Sequence, residues 1–298
     1  MILPKKVASS AEIADHYDEL DWAYREVWGE HIHHGLWLSG HETPEVAVVQ
    51  LVRHVADLAG VARGTAVFDV GCGNGATARL LAREYGAVVT GITLSAAQLG
   101  RAAAETWTGG PRFILGDWLT ERLEEESHDA VIAIESVEHM ADKPACFRQA
   151  RRVLRPGGRF VLTTWLAGEH AREWERRALL EPICREGRLP AMGTAGEYGE
   201  FLRSEGFALR VFEDLSSRVK ATWSICARRV AARLWRDRRY RRFLASPLSR
   251  NRSFALTLPR MWLAYETGAL RYGLFACEAV PSGRMPRAST PPARGAGA

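Results

Sequence analysis

Residues 67–81 read VFDVGCGNGATARLL. Apolar, β-favouring residues run into Gly71, Gly73 and Gly75, and an apolar pattern of helical period follows at once. Glycine loses more conformational freedom on folding than any other residue. Three of them at the exit of a buried strand therefore mark a place where the backbone must come close to something. A strand, a glycine turn and a helix open a right-handed βαβ unit, and ligands of such sheets settle outside the carboxyl ends of the strands. The dinucleotide fingerprint GxGxxG puts two residues before its third glycine. Here the spacing is GxGxG behind an acid, Asp69, which suits a ligand with an amino-acid end and a sugar.

The same rhythm continues over residues 64–165. Short apolar strands, AVFDV (66–70), AVVTGI (87–92), RFILGD (112–117), DAVIAI (129–134) and RFVLTTW (159–165), alternate with helical segments. The helices are GATARLLAREYG, SAAQLGRAAAETW and KPACFRQARRVLRPGG, the last with a Pro-Gly-Gly stop. This alternation predicts an α/β fold with a doubly wound, mostly parallel sheet. After Trp165 the rhythm breaks. GEHAREWERRALLEPICREGRLPAMG reads as a helical insertion, TAGEYGEFLRSEGF as a helix stopped at Gly206, and ALRVFEDLS (208–216) as a sixth strand. Residues 218–246 and 253–270 read as helices and LFACEAV (274–280) as a seventh strand. The expected organisation is a helical arm or lid over residues 1–60 and a Rossmann-like core over 61–165. Cap insertions complete the seven-stranded sheet over 166–280, and the Pro/Gly/Ser/Ala-rich stretch 281–298 is expected to be a disordered tail.

Composition narrows the classes. With 47% hydrophobic and 25% charged residues in 298, the chain has an ordinary soluble balance and enough length for a large core. No apolar run approaches the roughly 20 residues that span a bilayer, and the start lacks a secretory pattern, so a cytoplasmic protein is expected. The cysteines at 72, 146, 184, 226 and 277 are scattered without a CxxC pair, against a disulfide framework or a zinc site. The net charge of +5 is uneven, because RRVAARLWRDRRYRR (228–242) is dense in arginine with a single acid. Nucleic-acid binding is one reading of that run. Val230, Leu234 and Trp235 recur at helical spacing, so an amphipathic helix with a solvated basic face is the other.

Four further pieces join the loop: GITLSAAQ (91–98), GDW (116–118), IESVEHM (134–140) and RVLRPGGRFVL. With DVGCGNG they resemble the motifs of class I S-adenosylmethionine-dependent methyltransferases over about residues 10–280. GITLS followed by Gln98 is similar to the branch holding cyclopropane synthases and tocopherol C-methyltransferases. That resemblance implies S-adenosylmethionine as cofactor and S-adenosylhomocysteine as product. It implies that Asp69 receives the cofactor's ammonium, and that the backbone of Gly71, Cys72 and Gly73 lies against its methionine part. Most members grip the ribose with an acid at the second strand's end; here Thr93, Leu94 and Gln98 would carry the ribose and adenine contacts. Asp117 would accept from the adenine amino group, Trp118 would lie against the base, and Glu135 would touch the cofactor. The arm segment YREVWGEHIHHGLW (24–37) resembles the lid of the tocopherol branch, placing Tyr17 and His33 by the sulfonium and Trp28 and Trp37 at the acceptor. His31, His33 and His34 raise the thought of a metal, but no carboxylate–histidine set follows them, and no metal is expected.

Methyl transfer is an in-line displacement that asks the protein mainly for proximity, orientation and exclusion of water. His139 is the expected base, since imidazole titrates near neutrality, with Glu138 or Glu135 orienting it or touching the cofactor. Trp165, Trp223 and Tyr265 in the cap are expected to wall an apolar pocket for an aromatic or isoprenoid metabolite, on which carbon, nitrogen or oxygen is methylated, within secondary metabolism. A small-molecule acceptor is the expected partner, with no nucleic acid, for a monomer or homodimer. Two rivals stand: a cyclopropane-type lipid enzyme, for which Cys226 and Tyr265 are present but in surroundings that do not match that family's motif, and a nucleic-acid-binding protein working through residues 228–242.

Overall fold

The computed structural model describes residues 1–4, 7–247, 249, 251 and 257–280; the expected tail and the start of the helix expected over 253–270 lie outside the described residues. Seven strands, β1 (Ala66–Val70), β2 (Val88–Thr93), β3 (Arg112–Leu115), β4 (His128–Ile134), β5 (Leu154–Ala167), β6 (Phe207–Asp214) and β7 (Leu270–Ala279), form one sheet in the order β3-β2-β1-β4-β5-β7-β6. The pairs among β1 to β5 are parallel, and β7 runs antiparallel to both β5 and β6. The central strands read as unbroken apolar runs because both faces are covered: Val67, Phe68 and Val70 on β1 and Val131, Ile132 and Ala133 on β4 are all buried. The chain winds outward from β1 to β3 and then returns to β4, so strand order reverses between β1 and β4. Their carboxyl ends part there, and that is where a ligand crevice belongs.

Helices cover both faces. On one face α2 (Pro44–Ala59), α10 (Ala221–Arg236) and α12 (Thr257–Thr267) pack over Val67, Ile132, Val161 and Leu274; on the other, α5 (Lys143–Val153) and α8 (Ala195–Ser204) cover Phe68, Val131, Phe160 and Phe275. Local chemistry sets their starts. Ser9 and Glu12 make a capping box for α1 (Ser10–Val27), and Thr194 and Glu197 make another for α8. Thr43 caps α2, whose first residue is Pro44 and whose end is the left-handed Gly60. The crossovers after β1 and β2 are α3 (Ala76–Leu80), continued by a π-helical turn over Leu81–Tyr85, and α4 (Ala96–Ala104). The insertion after β5 holds α6 (Glu173–Glu175), a π-helical turn over Arg176–Leu180, and α7 (Glu181–Glu186).

Two expectations need correcting. The helix read through to Pro-Gly-Gly ends at Val153, because Leu154 already pairs with His128 and residues 156–158 form an irregularity within β5. The single helix read over 218–246 is three: α9 (Ser216–Val219), α10 and α11 (Arg238–Ala245). Asp237 takes an extended conformation between the last two and caps α11 by accepting from the Arg239 N–H. The arginine-rich run is partly tied inward. Arg229 donates to the Val27 carbonyl and pairs with Glu45, while Arg233, Arg239 and the Tyr240 hydroxyl converge on Glu26 of α1. Among the described residues no helix is long and apolar enough to cross a membrane.

Candidate active site

The three glycines answer to three different demands. Gly71 has φ +76°, and a Cβ there would lie 2.3 Å from the Ser136 Cβ, because Ser136 draws the ends of β1 and β4 together by donating to the Val70 carbonyl at 2.6 Å. The Gly71 and Cys72 N–H groups both donate to the Ile92 carbonyl, at 3.0 and 2.9 Å, which ties the loop to β2. At Gly75 a Cβ would meet the Phe113 ring at 2.6 Å, so α3 can start only tight against β3. Gly73 is different: at φ +52° it has nothing nearer its Cβ position than Gln98 Nε2 at 3.9 Å. Its backbone is left open to the crevice.

That crevice is about 390 Å³. The ends of β1 to β4 floor it through Gly71, Gly73, Thr93, Leu94, Gln98, Asp117, Trp118 and Glu135, and α1 crosses it with Ser10, Ile13 and Tyr17. A recess beside the loop adds Glu30, His31, His33, Asp69, Cys72 and Asn74. Within it, Asp69 Oδ2 and Asn74 Oδ1 are buried acceptors without a hydrogen-bond partner among the described residues. Unpaired buried oxygens are rare and call for a donor. Burial pushes the Asp69 carboxyl up to about 7. Two unpartnered acceptors in one recess, one of them an acid short of a counter-charge, fit the ammonium of an amino acid. Cys72 turns its sulfur against Gly91, and burial raises its thiol well above the usual range. His33 donates through Nδ1 to the His34 carbonyl and meets His31 Nδ1 at 3.2 Å; burial lowers both rings, His31 to about 3.

At the other end Thr93 donates to Gln98 Oε1 at 2.8 Å, so the hydroxyl aims the amide across the crevice where an acid would otherwise stand. Asp117 is engaged on both oxygens, by the Ser10 hydroxyl at 2.6 Å and the Leu119 N–H at 2.9 Å. Trp118 lines the crevice but is almost wholly buried. Its ring packs on Phe68 and its indole N–H donates to the Cys146 carbonyl at 3.1 Å.

Tyr17, Ile32, Glu135 and His139 are shared with a second, smaller compartment completed by Tyr24, Trp28, His34, Glu138, Trp165 and Trp223. Glu135 sits at φ +51°, uncommon for a residue with a side chain, and this turns its carboxylate under the aromatic walls. It accepts from the His34 N–H and Nδ1 at 2.6 and 2.9 Å, from Trp165 Nε1 at 3.1 Å and from the Tyr272 hydroxyl at 2.8 Å. Burial alone would raise its carboxyl, but the His34 ring and backbone against it prevail and hold it at about 2. Trp223 Nε1 lies 2.7 Å from His34 Nε2, and an indole N–H only donates. His34 therefore carries its hydrogen on Nδ1, aimed at Glu135.

Glu138 behaves in the opposite way. It is buried, accepts from the Thr164 hydroxyl at 3.2 Å, and is pushed up to about 8 by burial and then by the neighbouring charge of Glu135. The turn that carries it is held by Lys143, fully buried, whose Nζ donates to the carbonyls of Val137, Glu138 and Met140 at 2.9, 3.1 and 2.6 Å. His139 Nε2 faces the Tyr17 hydroxyl at 2.8 Å, and burial lowers the ring to about 3.

Most of the expected residues meet in these three connected spaces. Trp37 does not: it packs on Gly35 and donates its indole N–H to the Glu42 carbonyl. Tyr265 stands one layer behind the compartment, its hydroxyl 3.2 Å from His34 Nε2, and Cys226 is buried in the helical core. Sequence reading missed His34, Tyr272, Asn74 and Lys143. Only Asn74, inside the glycine loop, had a signal to find it by. Among the described residues no group of three His, Cys, Asp or Glu side chains could hold a metal ion.

Comparison with known proteins places this geometry. A family model described as a methyltransferase domain matches residues 68–162. The chain is 32% identical over 291 residues to a chloroplastic tocopherol O-methyltransferase of Arabidopsis thaliana, covering 89% of this chain and 81% of the relative. It is 33% identical over 223 residues to a 27-O-demethylrifamycin SV methyltransferase of Amycolatopsis mediterranei, covering 73% and 81%. The fold is similar to that of the cyclopropane synthase MmaA2 of Mycobacterium tuberculosis, with a TM-score of 0.79 at 20% identity over 92% of this chain and 99% of that one. A glycine loop tied to a switch point, a recess with two unpaired acceptors and an adjoining aromatic compartment thus belong to a methyltransferase that uses S-adenosylmethionine, and the chain is a member of the class I family of such enzymes.

Proposed function

We propose that this enzyme methylates a largely apolar, hydroxyl-bearing aromatic metabolite of secondary metabolism, at the hydroxyl oxygen or at a ring carbon which that hydroxyl activates. The observation that carries the reading is Glu138, a buried carboxyl held up at about 8 in an aromatic compartment that opens onto the cofactor crevice. Bound S-adenosylmethionine supplies an electrophilic methyl group on a sulfonium. Asp69 and Asn74 are the residues to hold its amino-acid end; Thr93, Leu94 and Gln98 serve the sugar, with Asp117 and Trp118 at the base. Tyr17 and His33 stand by the junction of the spaces, where an aromatic face favours a cation by roughly 0.5–2 kcal/mol.

Glu138, once ionised, accepts the proton that the acceptor's hydroxyl gives up. This departs from the expectation for His139, which burial keeps from holding a proton near neutrality. His139 instead takes a hydrogen bond from Tyr17 and so fixes that ring between the two compartments. Trp28, Trp165 and Trp223 exclude water and meet the reacting end of the acceptor, the compartment of about 40 Å³ taking no more than that end, and positioning of this kind supplies roughly 7–11 kcal/mol. The similarity to a tocopherol O-methyltransferase and to a 27-O-demethylrifamycin SV methyltransferase supports an acceptor of this class.

The test is incubation with isotopically methyl-labelled cofactor and a panel of prenylated hydroquinones, simple phenols, amines and unsaturated phospholipids, with the label located by NMR. Label on a phenolic oxygen or its ring carbon is expected. Label on amines alone, or in a lipid cyclopropane ring, overturns the reading.

A further inference from the structure

Residues 228–242 take no part in the chemistry above. On α10, Trp223, Cys226, Val230 and Leu234 face inward, while Arg228, Ala231, Ala232, Trp235 and Arg236 are exposed at spacings that put them on one side of a helix. Trp235 is 86% exposed, more than any other large apolar side chain described. Arg228, Arg236, Arg238 and Arg242 are exposed around it and, among the described residues, pair with no carboxylate. Their neighbours Arg229, Arg233 and Arg239 do pair, with Glu45, Glu26 and Asp237, so the unpaired four are the ones turned outward.

Behind this surface, between α1 and α10–α11, lies an apolar groove of about 60 Å³ lined by Leu20, Val27, Val230, Leu234 and Phe243. Tyr24 and Trp28 form its inner wall, and the same two rings wall the acceptor compartment. The apolar face of α10 is spent on the protein's own core, so what it offers outward is a basic face carrying one indole, and a basic face of this kind is drawn to the headgroup layer of an anionic bilayer.

We infer that α10–α11 is the surface by which the enzyme docks on an anionic lipid bilayer, with Trp235 at headgroup depth and the four outward arginines on lipid phosphates. Charge complementarity selects the sign of the partner. Trp235, the most exposed of the described indoles, stands among these arginines, on a helix whose inner face borders the apolar groove, and selects a lipid surface in preference to nucleic acid. The inference goes beyond the proposed reaction, and its test uses no acceptor, so either can fail alone.

The full chain, loaded with S-adenosylhomocysteine, is sedimented with vesicles of phosphatidylcholine alone or with about a third phosphatidylglycerol, at low and high salt. Binding to the anionic vesicles that weakens with salt is expected, with far less binding to neutral ones. Each arginine near an anionic surface is worth about five-fold in affinity. Arg236→Ser with Arg238→Ser is therefore expected to weaken binding about 25-fold at low salt, converging on the wild type at high salt. Trp235→Ala should weaken it several-fold at every salt. If either variant no longer binds S-adenosylhomocysteine, Arg228→Ser with Arg242→Ser takes its place. Equal binding to both kinds of vesicle overturns the inference, as does wild-type binding by the arginine variants. So does displacement of the protein from vesicles by single-stranded RNA at equal phosphate concentration.

Discussion

Glu138 and Asp69 are carboxyls that the fold leaves uncomfortable. Glu138 goes from 4.5 to about 8. Between those values the folded state holds a proton that the unfolded state has lost, so stability falls as pH rises through the window and the whole penalty is present above pH 8. Glu138→Gln should melt a few degrees higher than the wild type at pH 8.5 and equally at pH 4.5, followed by circular dichroism. The same variant should lose kcat by roughly 10²–10⁴-fold with cofactor affinity kept. The wild-type rate should climb to a plateau above about pH 8, a climb that the variant lacks. A rate unaffected by the substitution would return the role of base to His139. For Asp69, lifted to about 7 by burial alone, the counter-charge comes with the cofactor. Asp69→Asn should stabilise the empty protein at pH 8 yet weaken S-adenosylhomocysteine roughly 10–100-fold, the worth of one hydrogen bond between charged groups. Titration calorimetry should also find wild-type affinity rising from pH 6 to 7.5, with Asp69→Asn flat.

At the scale of elements, α1 is the piece whose attachment decides access. Ser10 bonds Asp117, Asp18 takes hydrogen bonds from the Ser95 hydroxyl and the Ala97 N–H, and Asp21 pairs with Arg101. Each tie ends on a strand tip or on α4, beside the residues that face the cofactor. Asp18→Ala with Asp21→Ala removes two of the three ties, each worth about 1 kcal/mol net. Hydrogen exchange in α1 should quicken, and S-adenosylhomocysteine should dissociate up to about 30-fold faster in stopped-flow fluorescence, with the sheet's protection unchanged. Unchanged dissociation would mean that α1 does not hold the crevice shut. The strands were legible in the sequence because their period is local, while the arm could be read only as helical. The junction at Val153–Leu154 and the break at Asp237 were not, since the pairing of Leu154 with His128 and the packing of α10–α11 on Glu26 join distant residues.

For the whole molecule, the doubly wound sheet and the place of its crevice could be read in advance, because one glycine loop fixes where the first strand ends and each later motif closes the next strand. The acceptor side could not. His34, Glu135, Trp165, Trp223 and Tyr272 come from the arm, β4, β5, α10 and β7, and only the finished fold brings them to one set of hydrogen bonds. Lys143 escaped for a related reason, since nothing in a helix's first residue tells that it will be buried under three carbonyls. The way α1 lies across the crevice has one more consequence. With α1 tied to Asp117, Ser95 and Arg101, the spent nucleoside is expected to depart only once that helix has lifted, whereas the chemical step happens beneath it undisturbed. Mixing enzyme with both substrates should then yield a rapid first equivalent of methylated product and a slower steady rate, a rhythm set by the door and not by the reaction.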